Sequence, residues 1–419
     1  MKSSLKQQIS FIILLLLMHY RVNLVGSMSL TEIYVVTQIP RLISWVNTKG
    51  KKIPNLRKIT KAFYLLIIAQ CISEFMIQNS LINAAKGIAV TVMALFITFF
   101  FIEKILRDPN LIRLIPISSA LALLIFGDQF GFAENDESSY FKFYIAPIII
   151  YLTCTITMLP QKWIQKNIVV LLICASIFII IGGARSLGFS LFFSTLFYII
   201  YTKYKTLKLR KIAPGIIASL IIIQSFLTFI YIPKVKSGEW GSDQNREQFE
   251  MIDWNSNIFM LLFTARTDFF VSGIAFLDKP LWGHGSWAMD TNNKYFYLQN
   301  KLLGEDANDN GNLKMVPNHS VVMGKGTANG IFAFLIFLWI FITMYKIGLR
   351  GLRKDSPYNI YLIWTIVSSF QLLMFGPPAV LKNNGAIAFA IMFSLYYINQ
   401  QIIYVSKNKI SCCYGNLQA

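Results

Sequence analysis

Long apolar runs separated by short polar connections set the pattern of this chain. They occupy about 9–25, 28–47, 61–79, 82–102, 111–127, 143–159, 167–183, 184–202, 213–232, 326–345, 359–376 and 384–405. Each approaches the roughly 20 residues that a helix needs to cross a bilayer core. The pattern predicts an all-α polytopic integral membrane protein of about twelve transmembrane helices. Residues 1–232 carry the first nine, a polar segment spans 233–325, and 326–419 carries the last three with a tail. Lys2 and Lys6 ahead of the first run, with Val25-Gly26-Ser27 after it, imitate a signal peptide. A second apolar run follows at once, so the expected element is a short first span turning at Gly26.

The segment 233–325 is the one polar stretch large enough for a small domain. A connection of this length is uncommon unless it is functional or disordered. Its tryptophans, glycines and spaced apolar residues argue against disorder. Ile258 to Leu277 predicts an amphipathic helix lying along the membrane surface. That helix should stop at Lys279-Pro280, because a residue before proline is pushed out of the helical region.

Composition agrees with a membrane protein. Apolar residues make up 55% and charged residues 14% of the chain, against roughly 25% charged in soluble domains. The net charge of +19 is placed unevenly: Pro233 to Lys325 holds nine basic and eleven acidic residues. The excess sits in short connections such as Lys49, Lys51, Lys52, Arg57, Lys58 and Lys61, or Lys203, Lys205, Lys208, Arg210 and Lys211. Basic short loops mark the cytoplasmic side. Both termini are therefore expected in the cytoplasm, with Asp128, Glu134, Asp136, Glu137 and the segment 233–325 outside. No contiguous basic face on a folded module is visible, so no nucleic-acid partner is expected. The five cysteines lie outside 233–325 and show no CxxC or Cys/His spacing, so neither a disulfide framework nor a zinc site is expected. Asp306-x-Asn308-x-Asn310-Gly311 copies the first half of a calcium loop, but Pro317 stands where the bidentate glutamate is required. No P-loop or dinucleotide fingerprint occurs, and no metal or cofactor is expected.

Charges inside spans are costly, which makes Glu32, Glu74, Lys86 and Arg185 functional candidates. Arg185 closes a tight Gly182-Gly183-Ala184-Arg185 turn, and Arg266 follows the apolar run from Ile258 to Phe263. A lone arginine in either place serves equally as a snorkelling or headgroup anchor. Two of them facing one outer cavity would suit a diphosphate, because guanidinium forks match phosphate oxygens. Of three histidines, His19 reads as structural and His284, between two glycines, as part of a turn. His319 stands just before the tenth run, where an imidazole is suited to proton transfer near neutral pH. A bare histidine is more often structural than catalytic. Lys86 and Lys325 are candidates for a further cationic approach at the surface, with anchoring as the plain alternative.

Taken together these residues resemble the bacterial O-antigen polymerase and O-antigen ligase superfamily. The resemblance covers most of the chain. It rests on about twelve spans, the turn at Arg185, one large outer loop, and within it Arg266, the apolar stretch Phe269 to Leu277, and Pro280-Leu281-Trp282-Gly283-His284-Gly285. His319 then precedes a span containing Gly324, Gly326 and Gly330. The resemblance implies transfer of undecaprenyl-diphosphate-linked glycans without metal or nucleotide sugar. Arg185 and Arg266 would hold the diphosphate and His319 would take the acceptor's proton; Glu74, Lys86, His284 and Lys325 are candidates, from the residues themselves, for a supporting part. It also implies a bacterial inner (plasma) membrane location, an active site on its outer face, and a flippase and a chain-length regulator as pathway partners. Ligases of this group carry His-Asn where this chain has His319-Ser320, which favours a polymerase of lipid-linked repeat units over a ligase acting on lipid A core. A transporter or glycan flippase is the competing class. Such proteins commonly show matched halves, and a large polar segment after the ninth run breaks that symmetry.

Overall fold

We describe the protein from a computed structural model covering residues 4–24, 26–127, 140–204, 230, 232–239, 266–303, 314–353 and 356–415. The helices are α1 (Leu5–Leu17), α2 (Leu30–Thr48), α3 (Leu56–Met76), α4 (Leu81–Arg107), α5 (Leu111–Phe126), α6 (Ala146–Thr157, entered through a π-helical turn at Phe141–Ile145) and α7 (Lys162–Ile181). They continue with α8 (Arg185–Tyr204), α9 (Ile232–Lys236), α10 (Thr267–Asp278), α11 (Lys294–Leu303), α12 (Val321–Arg350), α13 (Asn359–Phe375) and α14 (Asn384–Gly415). The predicted ninth span, the acids from Asp128 to Glu137, residues 258–265 and the stretch Asp306 to Gly311 lie outside the described residues.

Apart from residues 18–29, the predicted spans that fall on described residues are largely helical, which fits an all-α membrane protein. The count of twelve is not supported: among the described residues five helices are long and apolar enough to cross a membrane. They are α3, α4, α7, α12, and Pro378–Tyr404, which leads into α14. The remainder fall short in length or apolarity, and α1, α5, α13 and the run Phe141–Thr157 are shorter apolar helices. A second departure lies at Gly26. In place of a simple turn, Arg21–Leu24 (β1) and Gly26–Ser29 (β2) form an antiparallel hairpin pairing Arg21 with Ser29.

The core is built around α4, whose consecutive Phe99, Phe100, Phe101 and Ile102 are all buried, so this helix is covered on every side. It packs against α2, α3 and α14, while α12 packs against α3, α10, α13 and α14. Six buried hydroxyls are satisfied within their own helices: Thr60, Thr98, Ser119, Ser176, Ser194 and Thr365 each donate to the carbonyl four residues earlier. That solution suits an apolar surrounding, where an unpaired polar group finds no water.

The bundle has two chemically distinct ends. At one, Glu103 accepts a bidentate pair from Arg41 (2.9 and 3.3 Å) and a further bond from Arg107, and the Arg113 guanidinium lies over Tyr358. At the other, buried Glu32 pairs with Lys382 at 2.9 Å, and the same ammonium donates to the Ser27 carbonyl, pinning the hairpin to the turn at Pro378–Lys382. Glu32 is therefore a structural anchor. The C-terminal end of α13, the N-terminal ends of α8 and α12, and α10 belong to this second end. The candidate chemistry is concentrated there.

Candidate functional site

α10 begins at Arg266, whose backbone already leaves the helical region (φ −135°, ψ 29°), and it stops at Lys279, as the Lys279-Pro280 step requires. Its first turn carries Asp268, favourably placed at the positive end of the helix dipole. Asp268 Oδ2 lies 3.2 Å from His319 Nδ1, and its Oδ1 accepts from Gln299 Nε2 at 2.6 Å. His319 itself immediately precedes Ser320, whose hydroxyl caps α12 by accepting from the Met323 N–H. Asp268 thus has the Gln299 amide on one oxygen and the imidazole beside the other. A carboxylate beside Nδ1 favours a proton there, which would leave Nε2 as the acceptor that a general base needs. The His319 side chain is 60% exposed and that of Asp268 32%, so the pair is open to substrate.

The Arg266 guanidinium lies 4.7 Å from the centroid of the Phe375 ring, at the end of α13. Partial burial lowers its pKa from the ordinary arginine value, because desolvation disfavours the charged form. Arg185 opens α8 after the turn at Gly183 (φ +94°). One residue on, Ser186 accepts from Gln371 Nε2 at 2.7 Å, and Ser190 bonds the same amide's oxygen. Gln371 and Phe375 are one helical turn apart and share a face of α13. That face brings the segments bearing Arg185 and Arg266 to the same helix end. Lys142, exposed on the π-helical turn before α6, has its ammonium 4.9 Å from the Phe143 ring centroid, and the positive charges of Arg185 and Arg266 act on it. Neighbouring Phe141 fills the space over Gly182, where an added Cβ would sit 2.2 Å from the ring.

The remaining sequence candidates belong to a separate, buried assembly under the loop 280–286. Glu74, 4% exposed, accepts from Asn79 Nδ2 (2.6 Å), the Ser286 N–H (3.1 Å) and hydroxyl (2.5 Å), and Asn329 Nδ2 (2.9 Å). Gln70 in turn donates to Asn329 at 3.0 Å. Lys325, expected at the surface, is instead 6% exposed and donates to Thr91 at 2.8 Å, with Glu74 as its electrostatic partner. This placement corrects its assignment as a surface cation: α12 starts at Val321, so Lys325 falls inside the helix and faces α4. Lys86 is half-buried near the start of α4 and makes no ion pair among the described residues. It joins neither group. His284 Nε2 donates to the Ala275 carbonyl at 2.9 Å and meets the Tyr295 hydroxyl at 3.2 Å, which in turn donates to Asp278 at 2.7 Å. It braces a turn.

The Pro-x-x-Gly-x-Gly loop explains why that turn exists. α12 is broken at Gly330 (φ +76°, ψ −172°), which frees backbone groups inside an apolar helix. The loop satisfies them: the Ile331 N–H donates to the Pro280 carbonyl, and the His284 and Gly285 N–H groups donate to the Thr327 and Ala328 carbonyls, all at 2.8 Å. Non-helical backbone at such a place persists only where protein supplies the partners. The approach is so close that a Cβ on Gly330 would lie 2.0 Å from the Leu281 carbonyl oxygen.

Asp268 is the residue that sequence reasoning missed. It stood two positions after Arg266, but its partner His319 is distant in sequence, and no local pattern links the two. No protein-family model and no curated protein matches this chain.

Proposed function

We propose that the protein is a glycosyltransferase that uses a polyprenyl-diphosphate-linked glycan as donor, acting as a polymerase of undecaprenyl-diphosphate-linked repeat units. The observation that carries this reading is the His319–Asp268 pair, 3.2 Å apart, with Arg266 two residues before Asp268 at the start of α10. A general base and fixed cations side by side are what displacement of a diphosphate by a hydroxyl requires. His319 Nε2 accepts the proton of the acceptor hydroxyl as its oxygen attacks the sugar's anomeric carbon. The bond from that carbon to the diphosphate oxygen breaks, and its electron pair leaves with the lipid diphosphate. Arg185 and Arg266 stabilise the charge that develops there, the kind of preorganised electrostatics that dominates many enzyme sites. Asp268 acts through His319 as a positioning residue. Among the described residues Lys203 and Arg350 lie in the last turns of α8 and α12, whose first turns lie beside Arg185 and His319, which supports an outward-facing site in a bacterial plasma membrane with both termini inside.

The test is reconstitution of purified protein in lipid vesicles with an undecaprenyl-diphosphate-linked oligosaccharide, reading chain extension. His319→Ala should lose on the order of 10²–10⁴ in turnover while still binding donor. Asp268→Asn should lower kcat while leaving KM for the donor unchanged, since it removes the carboxylate beside His319 and not a group that holds the diphosphate. Arg266→Lys should rescue poorly, because lysine keeps the charge and loses the fork. Full turnover in His319→Ala, or translocation of the lipid-linked glycan without any glycosidic bond formed, would sink the enzyme reading. A ligase transferring finished polymer to lipid A core would use the same donor residues. Glycan analysis of a deletion strain separates the two: single repeats indicate a lost polymerase, long polymer stranded on the prenyl lipid a lost ligase.

A further inference from the structure

The contacts between α10 and α12 advance in step and then reverse. Asp268 stands beside His319 ahead of α12, Ser272 bonds the Pro317 carbonyl and meets the Thr327 hydroxyl, and the Phe276 ring lies over Gly326 and 5.2 Å from Phe334. α10 therefore runs down beside α12 instead of lying flat across it. Past its end the Pro280 carbonyl accepts from the Ile331 N–H, and the Trp282 ring sits 6.2 Å from Phe332. Two residues later the chain has turned back, with the His284 and Gly285 N–H groups on the Thr327 and Ala328 carbonyls. The stretch 267–286 is thus a hairpin that descends along α12 and climbs again. We infer that it is re-entrant: its tip, 277–282, is seated in bilayer lipid, at the acyl–headgroup boundary on the side of the N-terminus of α12. The inference rests on packing and exposure and does not depend on glycosyl transfer.

α12 itself sets the depth. Ahead of the break it is enclosed by protein, and every residue of 324–330 is buried. Just past the break an exposed apolar face begins with Phe332, Leu335, Trp339 and Ile342, spaced as one side of a helix. That face ends at Lys346 and Arg350, exposed cations suited to the headgroups of the opposite surface. From 331 to 350 is about 20 residues, roughly 30 Å of helix, which matches the hydrocarbon core of a bilayer. Gly330 therefore stands at the edge of the hydrocarbon, and the tip of the hairpin is level with 331–334. Its side chains suit that level. Leu277 is 73% and Leu281 59% exposed, so they continue the lipid-facing side of α12 that Phe332 opens. Trp282 lies on that ring, at the height where interfacial tryptophans collect. The charges of the tip avoid the acyl layer: Asp278 is turned to Lys294 and Tyr295, and Lys279 is exposed with a stem long enough to reach headgroups. Non-helical backbone at such a depth needs protein partners, and the bonds to Ile331, Thr327 and Ala328 supply them.

Spin labels measure the depth directly. Leu277→Cys, Leu281→Cys, Phe332→Cys and Lys294→Cys are made one at a time in the full chain, its five native cysteines replaced by alanine. Each is labelled and reconstituted in phosphatidylcholine vesicles. Oxygen concentrates among acyl chains and a nickel chelate stays in water, so the ratio of their relaxation effects reports what surrounds the label. The labels at 277 and 281 should favour oxygen, as the one at 332 does, and the label at 294 should favour nickel. Nickel access at 277 and 281 equal to that at 294 would overturn the inference by placing the tip in water. Poor access to both reagents at 277 and 281 would overturn it too, because the tip would then be covered by protein. A second measurement keeps the native cysteines: benzoylphenylalanine replaces Leu281, the vesicles are irradiated, and the products are weighed by mass spectrometry. An adduct with phosphatidylcholine is expected. Cross-linking to a second copy of the chain in its place, or no lipid adduct at all, would sink the re-entrant reading and leave the glycosyl-transfer reading untouched.

Discussion

Replacing Gly330 with alanine tests how the broken helix and the Pro280–Gly285 loop depend on each other. The residue sits at φ +76°, ψ −172°, a conformation essentially confined to glycine. Forcing a side chain into it costs about 1–3 kcal/mol. The new Cβ would also meet three backbone atoms, the Leu281 oxygen at 2.0 Å, the Leu281 carbon at 2.4 Å and the Trp282 nitrogen at 2.7 Å. Backbone cannot swing aside as a flexible side chain can, so the loop must move off α12. Doing so breaks the bonds from Ile331, His284 and Gly285, each 2.8 Å long. A net hydrogen bond contributes about 0.5–1.5 kcal/mol, and more when a buried donor is left unsatisfied. The total is on the order of 3–7 kcal/mol, a large share of the roughly 5–15 kcal/mol that holds a typical domain folded. The expected result is a markedly lower melting temperature in detergent, with faster hydrogen exchange at the His284, Gly285 and Ile331 amides. Unchanged melting, together with undiminished protection at those amides, would refute the account of the loop as the partner of the helix break.

Two further outcomes follow from the buried and the exposed polar groups. Glu74→Ala strands the Ser286 and Asn329 donors and takes from Lys325 its counter-charge, so a loss of about 3–5 kcal/mol is expected. The double variant with Lys325→Met should lose less than the two single losses combined, since the uncompensated ammonium is gone; strict additivity in denaturation would rule out the coupling. The second outcome is a pH dependence of the loop. Burial holds the His284 pKa below its usual value, with Lys279 acting in the same direction. The unfolded histidine therefore binds its proton first as pH falls. Stability from the neutral imidazole is present in full above the unfolded pKa of about 6.5 and is lost as pH drops toward the lower folded value. The Asp278 carboxyl, held low by Lys294 and Tyr295, adds a further loss below about pH 4. Melting curves between pH 7.5 and 5 should show the first effect, and His284→Gln should flatten it; an equal slope in that variant would exclude His284 as its source.

The apolar runs by themselves determined that this is a helical protein suited to a membrane, because a helix of that composition leaves no polar backbone to satisfy elsewhere. They also placed most helix boundaries. Lys279-Pro280 told where α10 stops, since the constraint acts on the neighbouring residue alone. Glycine spacing in Pro280–Gly285 and after His319 marked two segments with special backbone, but it did not say that each was the other's partner. That pairing joins Pro280 to Ile331 and Thr327 to His284, and it is decided only when α12 breaks beside the loop. Burial was equally invisible. Lys325 at the edge of one apolar run and Lys86 inside another give no local sign of their burial, yet the first is enclosed against Thr91 and the second is half-exposed. The same holds for the site: Arg185, Arg266 and His319 stood out as unusual residue types in place, whereas Asp268 gained meaning only from what packing brought beside it. Local rules read one stretch at a time. A charge acquires its role from neighbours that are far away in sequence, and the stacking of α10 on α12 and of α8 on α13 supplies those neighbours.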